Sequence, residues 1–144
     1  MKIRKATPAD SLLLAQLAGA MWAHDPAGLE AEFAELTRSA EAACFLAWEQ
    51  AEAIGFAQCQ LRHDYVEGCD TSPVGFLEGI WVAEGHRRSG VARALLQSCE
   101  DWARSTGCTE FASDCEIDNL GSLAWHLKAG FEEVNRTIWF AKKL

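Results

Sequence analysis

No stretch of this 144-residue sequence stays apolar for long enough to cross a bilayer. Its opening, Met1-Lys2-Ile3-Arg4-Lys5, runs into polar sequence rather than the uninterrupted apolar core of a signal peptide. A soluble cytoplasmic protein with no membrane partner is expected. Positive charge is also scarce: 13 Lys and Arg stand against 21 Asp and Glu, a formal charge of -8. A nucleic-acid binder needs a basic surface to displace counterions from phosphates, so no nucleic-acid partner is expected. The six cysteines form no CxxC pair, and no Cys/His set has zinc spacing, so no metal is expected. Several sit in apolar runs, such as Cys44 in ACFLAW, and read as reduced, mostly buried thiols. Repeats, low-complexity stretches and linkers are absent too. What is present is a 49% hydrophobic chain that suits one domain and one core over residues 1–144. An acidic surface concentrates cationic ligands, although acidity for solubility alone is common.

The apolar spacing predicts a mixed α/β domain with the order βααβββαβαβ. Lys2 to Ala6 reads as a first strand. Thr7-Pro8-Ala9-Asp10 reads as a helix start, with Thr7 as cap, Pro8 at the first helical position and Asp10 where a capping box places an acid. A second helix is expected from about Pro26 to Ser39, carrying Leu29, Phe33 and Leu36 on one face. Ala43 to Glu49 and Ala53 to Leu61 read as a hairpin, followed by a polar loop from His63 to Gly75 and a strongly apolar strand from Phe76 to Val82. Val91, Leu95, Leu96, Cys99, Trp102 and Ala103 recur at helical spacing between Gly90 and Gly107. Thr109 to Cys115 is expected as a strand, Asn119 to Ala129 as a helix ended by Gly130, and Phe131 to Ala141 as a final strand.

The turn Glu84-Gly85-His86-Arg87-Arg88-Ser89-Gly90-Val91-Ala92 joins an apolar strand to an amphipathic helix. Backbone N–H groups at a helix start lack internal partners and carry the positive end of the dipole. Gly90 leaves room for close approach, and Arg87 and Arg88 add charge. The turn can therefore seat a pyrophosphate, or it can be an ordinary turn with solvated arginines. At this point the sequence resembles the GNAT acetyltransferases. R-R-S-G-V-A fits that family's R/Q-x-x-G-x-G/A signature, and Asn119 to Phe131 is similar to its second signature, N-x-x-S-x-x-x-Y/H-x-x-x-G-F. The resemblance implies a mostly antiparallel central sheet whose central strands splay apart, with acetyl-CoA as co-substrate in the gap. It implies that backbone groups of Ile80, Trp81 and Val82 hold the pantetheine arm and acetyl carbonyl. Arg87, Arg88, Ser89, Gly90, Val91 and Ala92 would hold the pyrophosphate, and Asn119 would touch the cofactor near the pantetheine arm.

A second resemblance is more specific. The strings Arg62-His63-Asp64-Tyr65-Val66, Asp70-Thr71-Ser72-Pro73-Val74, Leu77-Glu78-Gly79-Ile80 and Ala112-Ser113-Asp114 look like one branch of the aminoglycoside 6'-N-acetyltransferases. The resemblance implies an aminoglycoside site lined by Trp22, His24, Tyr65, Glu78, Asp114 and Asn135. The chemistry is consistent: a polycationic sugar needs carboxylates and flat faces, and a carboxylate inside an apolar strand is costly unless it is paired or faces water. Asp64, Glu67 and Asp70 read as solvated charges. Direct attack of the 6'-amine on the thioester is expected, with no covalent acetyl-enzyme. Glu78 and Asp114 are candidates for accepting the amine proton. His126, where the family usually has a tyrosine acid, either protonates the departing thiolate or is a helix-face histidine. The apolar segment Thr137-Ile138-Trp139-Phe140 either pairs across a homodimer or forms a core strand.

Overall fold

The structure is a computed structural model that describes residues 1–22 and 26–144. Three apolar runs become the antiparallel strands β2 (Ala42–Glu49), β3 (Glu52–Arg62) and β4 (Val74–Val82). Strand β1 (Lys2–Lys5) pairs antiparallel with β2, and β5 (Phe111–Ser113) runs parallel to β4, giving the order β1-β2-β3-β4-β5. Successive side chains of a strand face opposite sides, so β2 feeds two cores. Cys44 and Leu46 pack with Leu14, Leu29 and Phe33 from helices α1 (Ser11–Ala18) and α2 (Pro26–Arg38). Ala43, Phe45 and Ala47 pack with Val91, Leu95 and Cys99 of helix α3 (Val91–Ser105). Trp125 of helix α4 (Leu120–Lys128) lies against that second core. The result is the expected mixed α/β sheet flanked by helices. No described helix is long and apolar enough to cross a membrane.

The first helix begins with a 3-10 turn over Pro8–Asp10 that continues into α1. Asp10 accepts the Thr7 N–H at 2.8 Å, as a capping-box acid does. It also accepts two hydrogen bonds of 2.8 Å from the Arg4 guanidinium, which ties the helix start to β1. That pair holds the Asp10 carboxyl at about 2 rather than the ordinary 3.8. Cys44, Cys59, Cys99 and Cys108 are buried free thiols, as expected, whereas Cys69 is half-buried and Cys115 is exposed. Burial pushes the Cys44 thiol up to about 12, which keeps it protonated and inert at neutral pH.

Two expected strands differ. The strand expected over 109–115 shortens to the three residues of β5. The strand expected from Phe131 to Ala141 does not form: residues 131–144 belong to no helix or strand, and Ile138, Trp139 and Phe140 are 77%, 90% and 90% exposed. A strand exists only while a neighbouring strand accepts and donates along its length. Apolar character alone supplies no such neighbour, and among the described residues none pairs with this segment.

Because Asp10 loses its proton more readily in the folded chain, its contribution is complete above about pH 4 and disappears as the pH falls towards 2. Asp10→Asn is expected to lower the unfolding free energy by about 1 kcal/mol at neutral pH. In denaturant titrations the gap from the parent protein should close over that acidic window. A gap independent of pH would contradict this role.

Candidate active site

Strand β4 has two different edges. Along one it pairs with β3 for its whole length, up to Gly55 opposite Val82. Along the other it meets β5 only at Gly75–Phe111, Phe76–Ala112 and Leu77–Ser113. Beyond that last rung the strands part. Glu78 is the next residue on β4 and Asp114 the first residue past the end of β5, so the two carboxylates singled out in the sequence stand on opposite arms of the fork. Asp114 is exposed just past the end of β5, not inside an apolar strand as its neighbours suggest.

The free arm of β4 exposes backbone. Ala83 N–H donates to Ile54 O at 2.8 Å, so residues 83 and 81 point their polar groups at β3. Alternation directs those of Ile80 and Val82 into the gap. The Trp81 backbone therefore belongs to the β3 ladder, which takes it out of the expected cofactor-binding set. Its side chain lies against the α1/α2 core. The Val82 carbonyl accepts Arg87 Nε at 2.8 Å. The Ile80 groups and the Val82 N–H remain on the open edge.

A β-bulge re-aims the chain at the same place. Gln58 pairs with Gly79 but Cys59 pairs with Leu77, so Glu78 is the extra residue of β4. As a result Leu77 and Ile80 both face the α3 core, although strict alternation would separate them. Next to Glu78, Gly79 has no side chain because the Trp22 indole fills that space. A Cβ there would lie 2.6 Å from the ring. Trp22 in turn packs on Phe33 and Phe56. It is thus both a core residue and the wall beside Glu78. His24 lies outside the described residues.

Glu78 is not a free carboxylate. Arg62, at the end of β3, donates to Oε1 from Nε at 3.0 Å and from Nη2 at 2.8 Å, and to Oε2 at 3.0 Å. The guanidinium lies over the Phe76 ring, 3.5 Å from its centroid. Arg62 is a site residue that the sequence does not disclose, because only the β3–β4 register brings it to Glu78. Glu67 is more than the solvated charge expected of it. It accepts from the Tyr65 hydroxyl at 2.9 Å and from Asn135 Nδ2, joining two expected site residues. That bond to Glu67 raises the Tyr65 hydroxyl above its ordinary value of 10.

At the tip of α3, Gly90 adopts φ +88, and a Cβ added there would meet nothing within 4 Å. Arg88 adopts φ +61. The first amide of α3 to find a backbone carbonyl is Ala94 N–H, which donates to Gly90 O at 3.0 Å. Among the described residues, the amides of Arg88 to Arg93 have no backbone acceptor. The Arg87 amide, expected among the free ones, is spent on Glu84 O at 3.3 Å. Ser89 Oγ donates back to His86 O, and the Arg88 side chain is exposed. Asn119 caps α4 through Oδ1, accepting Ser122 N–H at 3.1 Å.

His126 projects from α4 towards the fork. Its Nδ1 lies 2.7 Å from Ser122 O, and its Nε2 lies 2.8 Å from Ser113 Oγ. Ser113 is the residue of the last β4–β5 rung. A cavity of about 1090 Å³ beside β5 is lined by Tyr65, Ser113, Asp114, His126 and Asn135. Trp22, Glu78 and the α3 tip do not line it. The structure thus gathers the expected residues into two groups that meet at the fork.

This geometry can be set against known proteins. The model of the acetyltransferase (GNAT) family matches residues 11–131. The chain belongs to the GNAT family. This GNAT chain is 47% identical to an aminoglycoside N(6')-acetyltransferase type 1 of Stenotrophomonas maltophilia, over 99% of this chain and 93% of that protein. It is 40% identical to the protein of that name from Acinetobacter haemolyticus, over 100% and 99%. Among solved structures, the apo aminoglycoside 6'-N-acetyltransferase AAC(6')-IG of Acinetobacter haemolyticus superposes with a TM-score of 0.94 at 40% identity, covering 100% of this chain and 99% of that one. The enzyme AAC(6')-Iy, solved with the bisubstrate analogue CoA-S-monomethyl-acetylneamine, also gives 0.94, at 38% identity and with 99% and 98% covered.

The contact between Gly79 and Trp22 makes a prediction about the GNAT fork. Gly79→Ala should lower the unfolding free energy by about 1–3 kcal/mol, because the ring must move. In a Trp22→Ala background the same change should cost much less, and a double-mutant cycle in denaturant measures the difference. Additive costs would mean that the two do not touch.

Proposed function

We propose that this chain is an aminoglycoside 6'-N-acetyltransferase, moving an acetyl group from acetyl-CoA to the 6'-amine while both are bound. The names of its relatives support that reading, and the observation that carries it is the fork. One arm offers unpaired strand amides and a helix tip suited to pyrophosphate, and both arms present carboxylates. The residues fit acetyl-CoA: unpartnered amides from Arg88 to Arg93 face outward, Gly90 leaves the approach open, and Arg88 adds positive charge. Acetyl-CoA, when bound, supplies an activated acetyl group. No group of metal-ligating residues occurs among the described residues.

The chain's own residues supply the rest. The Ile80 and Val82 N–H groups are placed to stabilise negative charge developing on the acyl oxygen. Glu78 and Asp114 bind and orient substrate ammonium groups. A carboxylate in contact with an amine favours the charged form, so orientation is their larger contribution. Arg62 offsets part of the Glu78 charge and fixes the direction of its carboxylate. Trp22 and Tyr65 offer flat faces to sugar rings, and Asn135 and Glu67 continue the polar rim. The acidic chain suits a polycation and disfavours nucleic acid or an anionic membrane surface. A cytoplasmic location follows from dependence on acetyl-CoA and agrees with the free thiols.

We also infer a homodimer. Ile138, Trp139 and Phe140 expose large apolar surfaces next to a cavity whose lining includes Phe76, Phe111 and Phe131. The same segment of a second copy would cover both. Sedimentation should give twice the chain mass, and Trp139→Asp with Phe140→Asp should return it to a monomer. A parent protein that sediments as a monomer at micromolar concentration would contradict the dimer.

With acetyl-CoA and kanamycin or tobramycin, steady thiol release is expected. Glu78→Gln should lower kcat/KM for the aminoglycoside by about 10- to 100-fold, the scale of one charged hydrogen bond, with acetyl-CoA affinity nearly unchanged. Release with a polyamine but no aminoglycoside would assign a different acceptor. Tight acetyl-CoA binding without release for any amine would make the chain a binding module.

A further inference from the structure

A reaction that takes a proton from an amine needs an acceptor that does not itself hold the amine in its charged form. Glu78 and Asp114 are poor at this, because their charge favours ammonium, and both Glu78 oxygens are already occupied by Arg62. Another group stands at the fork. His126 Nδ1 lies 2.7 Å from Ser122 O, a carbonyl that can only accept, and 3.3 Å from Ser122 Oγ; the shorter contact assigns a hydrogen to Nδ1. In neutral His126 the lone pair is then on Nε2, which lies 2.8 Å from Ser113 Oγ. The Ser113 hydroxyl therefore donates to Nε2. This is the nucleophile–base–orienter pattern, with a backbone carbonyl in the orienting place.

Ser113 also has a second acceptor. Its Oγ lies 3.3 Å from Leu77 O, across the last rung of the fork. When His126 is neutral, Ser113 donates to Nε2. When His126 is protonated, Nε2–H donates to Ser113 Oγ and the Ser113 hydrogen turns to Leu77 O. Both states are fully hydrogen-bonded with the side chains unmoved, so a proton can be stored and returned at little cost in reorganisation. The His126 ring is held by Trp125 and Phe131, with centroids at 4.9 and 5.2 Å.

We propose that Ser113 and His126 form the proton relay of acetyl transfer, with Ser113 as the catalytic residue that meets the substrate amine. The inference rests on the acetyl-transfer reading above. As the amine nitrogen bonds to the acetyl carbon, its proton passes to Ser113 Oγ, and the Ser113 proton passes to His126 Nε2. As the carbon–sulfur bond breaks, the electron pair leaves with sulfur. The relay then runs back, Nε2 to Oγ and Oγ to sulfur. The amine loses one proton, the thiol gains one, and both residues end as they began. Ser113 forms no acetyl ester.

The test compares the parent protein, Ser113→Ala, Ser113→Thr, His126→Ala and the double alanine variant. Ser113→Ala should reduce kcat for kanamycin by about 100-fold or more, the usual scale of acid–base catalysis, with both KM values within about twofold. Ser113→Thr keeps the hydroxyl and should recover most of the rate. The double variant should be no slower than the slower single one, because the two residues act as a unit. A readout without substrates is 15N NMR of the labelled protein, in which neutral His126 should be the Nδ1–H form, with its Nε2 signal shifted in Ser113→Ala. Ser113→Ala with parental kcat, a rise in KM alone, or an Nε2–H ring would overturn the relay. If the parent turns over no aminoglycoside, the acetyl-transfer reading fails instead, and the NMR result still decides whether the Ser113–His126 pair exists.

Discussion

The parting of β4 from β5 after Leu77 and Ser113 is the constraint on which the rest depends. Backbone N–H and C=O groups seek partners wherever water is excluded. β3 satisfies one edge of β4 along its whole length, so β4 can continue to Val82 after β5 has ended. The other edge is left with strand amides that nothing in the described chain uses. A ligand with a carbonyl and an extended polar arm can complete that edge as a strand would. The same strand delivers its turn to the start of α3, where a second set of amides lacks backbone acceptors. One structural event thus leaves two adjoining sets of free amides whose separation is fixed by the length of β4.

Charge is arranged around the fork more carefully than the overall acidity suggests. Glu78 sits in a bulge, which separates it from the regular alternation of core residues, and Arg62 holds it by two oxygens above the Phe76 ring. Asp114 stands exposed on the other arm. A polycation would meet one carboxylate that is fixed in direction and one that is free to adjust. The Ser113–His126 pair stands at the last rung of the fork, next to Asp114 in the chain, so a positive ligand held by the carboxylates would bring an amine towards a hydroxyl rather than a third carboxylate.

What the sequence reveals divides by range. Features set within a few residues are legible: the helix stripe of α3, the glycines at 90, 107 and 130 with positive φ, and the capping acid at Asp10. Glu78 is conspicuous along the chain as a charge in an apolar strand and does lie in β4, whereas the same reading of Asp114 misplaces it, since it stands exposed past the end of β5. Features set by register are not legible. The bulge at Glu78, its Arg62 partner and the use of Trp81 by β3 all require knowing which residues of β3 oppose β4. Ser113 and His126 look unrelated in sequence, being joined only by the packing of α4 on the end of β5. The C-terminal segment shows the converse limit: its residues suit a strand, but a strand needs an edge to pair with.

The most direct measurement of the central claim is a crystal structure with coenzyme A and kanamycin bound together. The pyrophosphate should lie on the amides of Arg88 to Arg93, the pantetheine arm along Ile80 and Val82, and the 6'-amine between the sulfur and Ser113 Oγ. Coenzyme A bound elsewhere, or an antibiotic that left Glu78 and Asp114 untouched, would contradict the account.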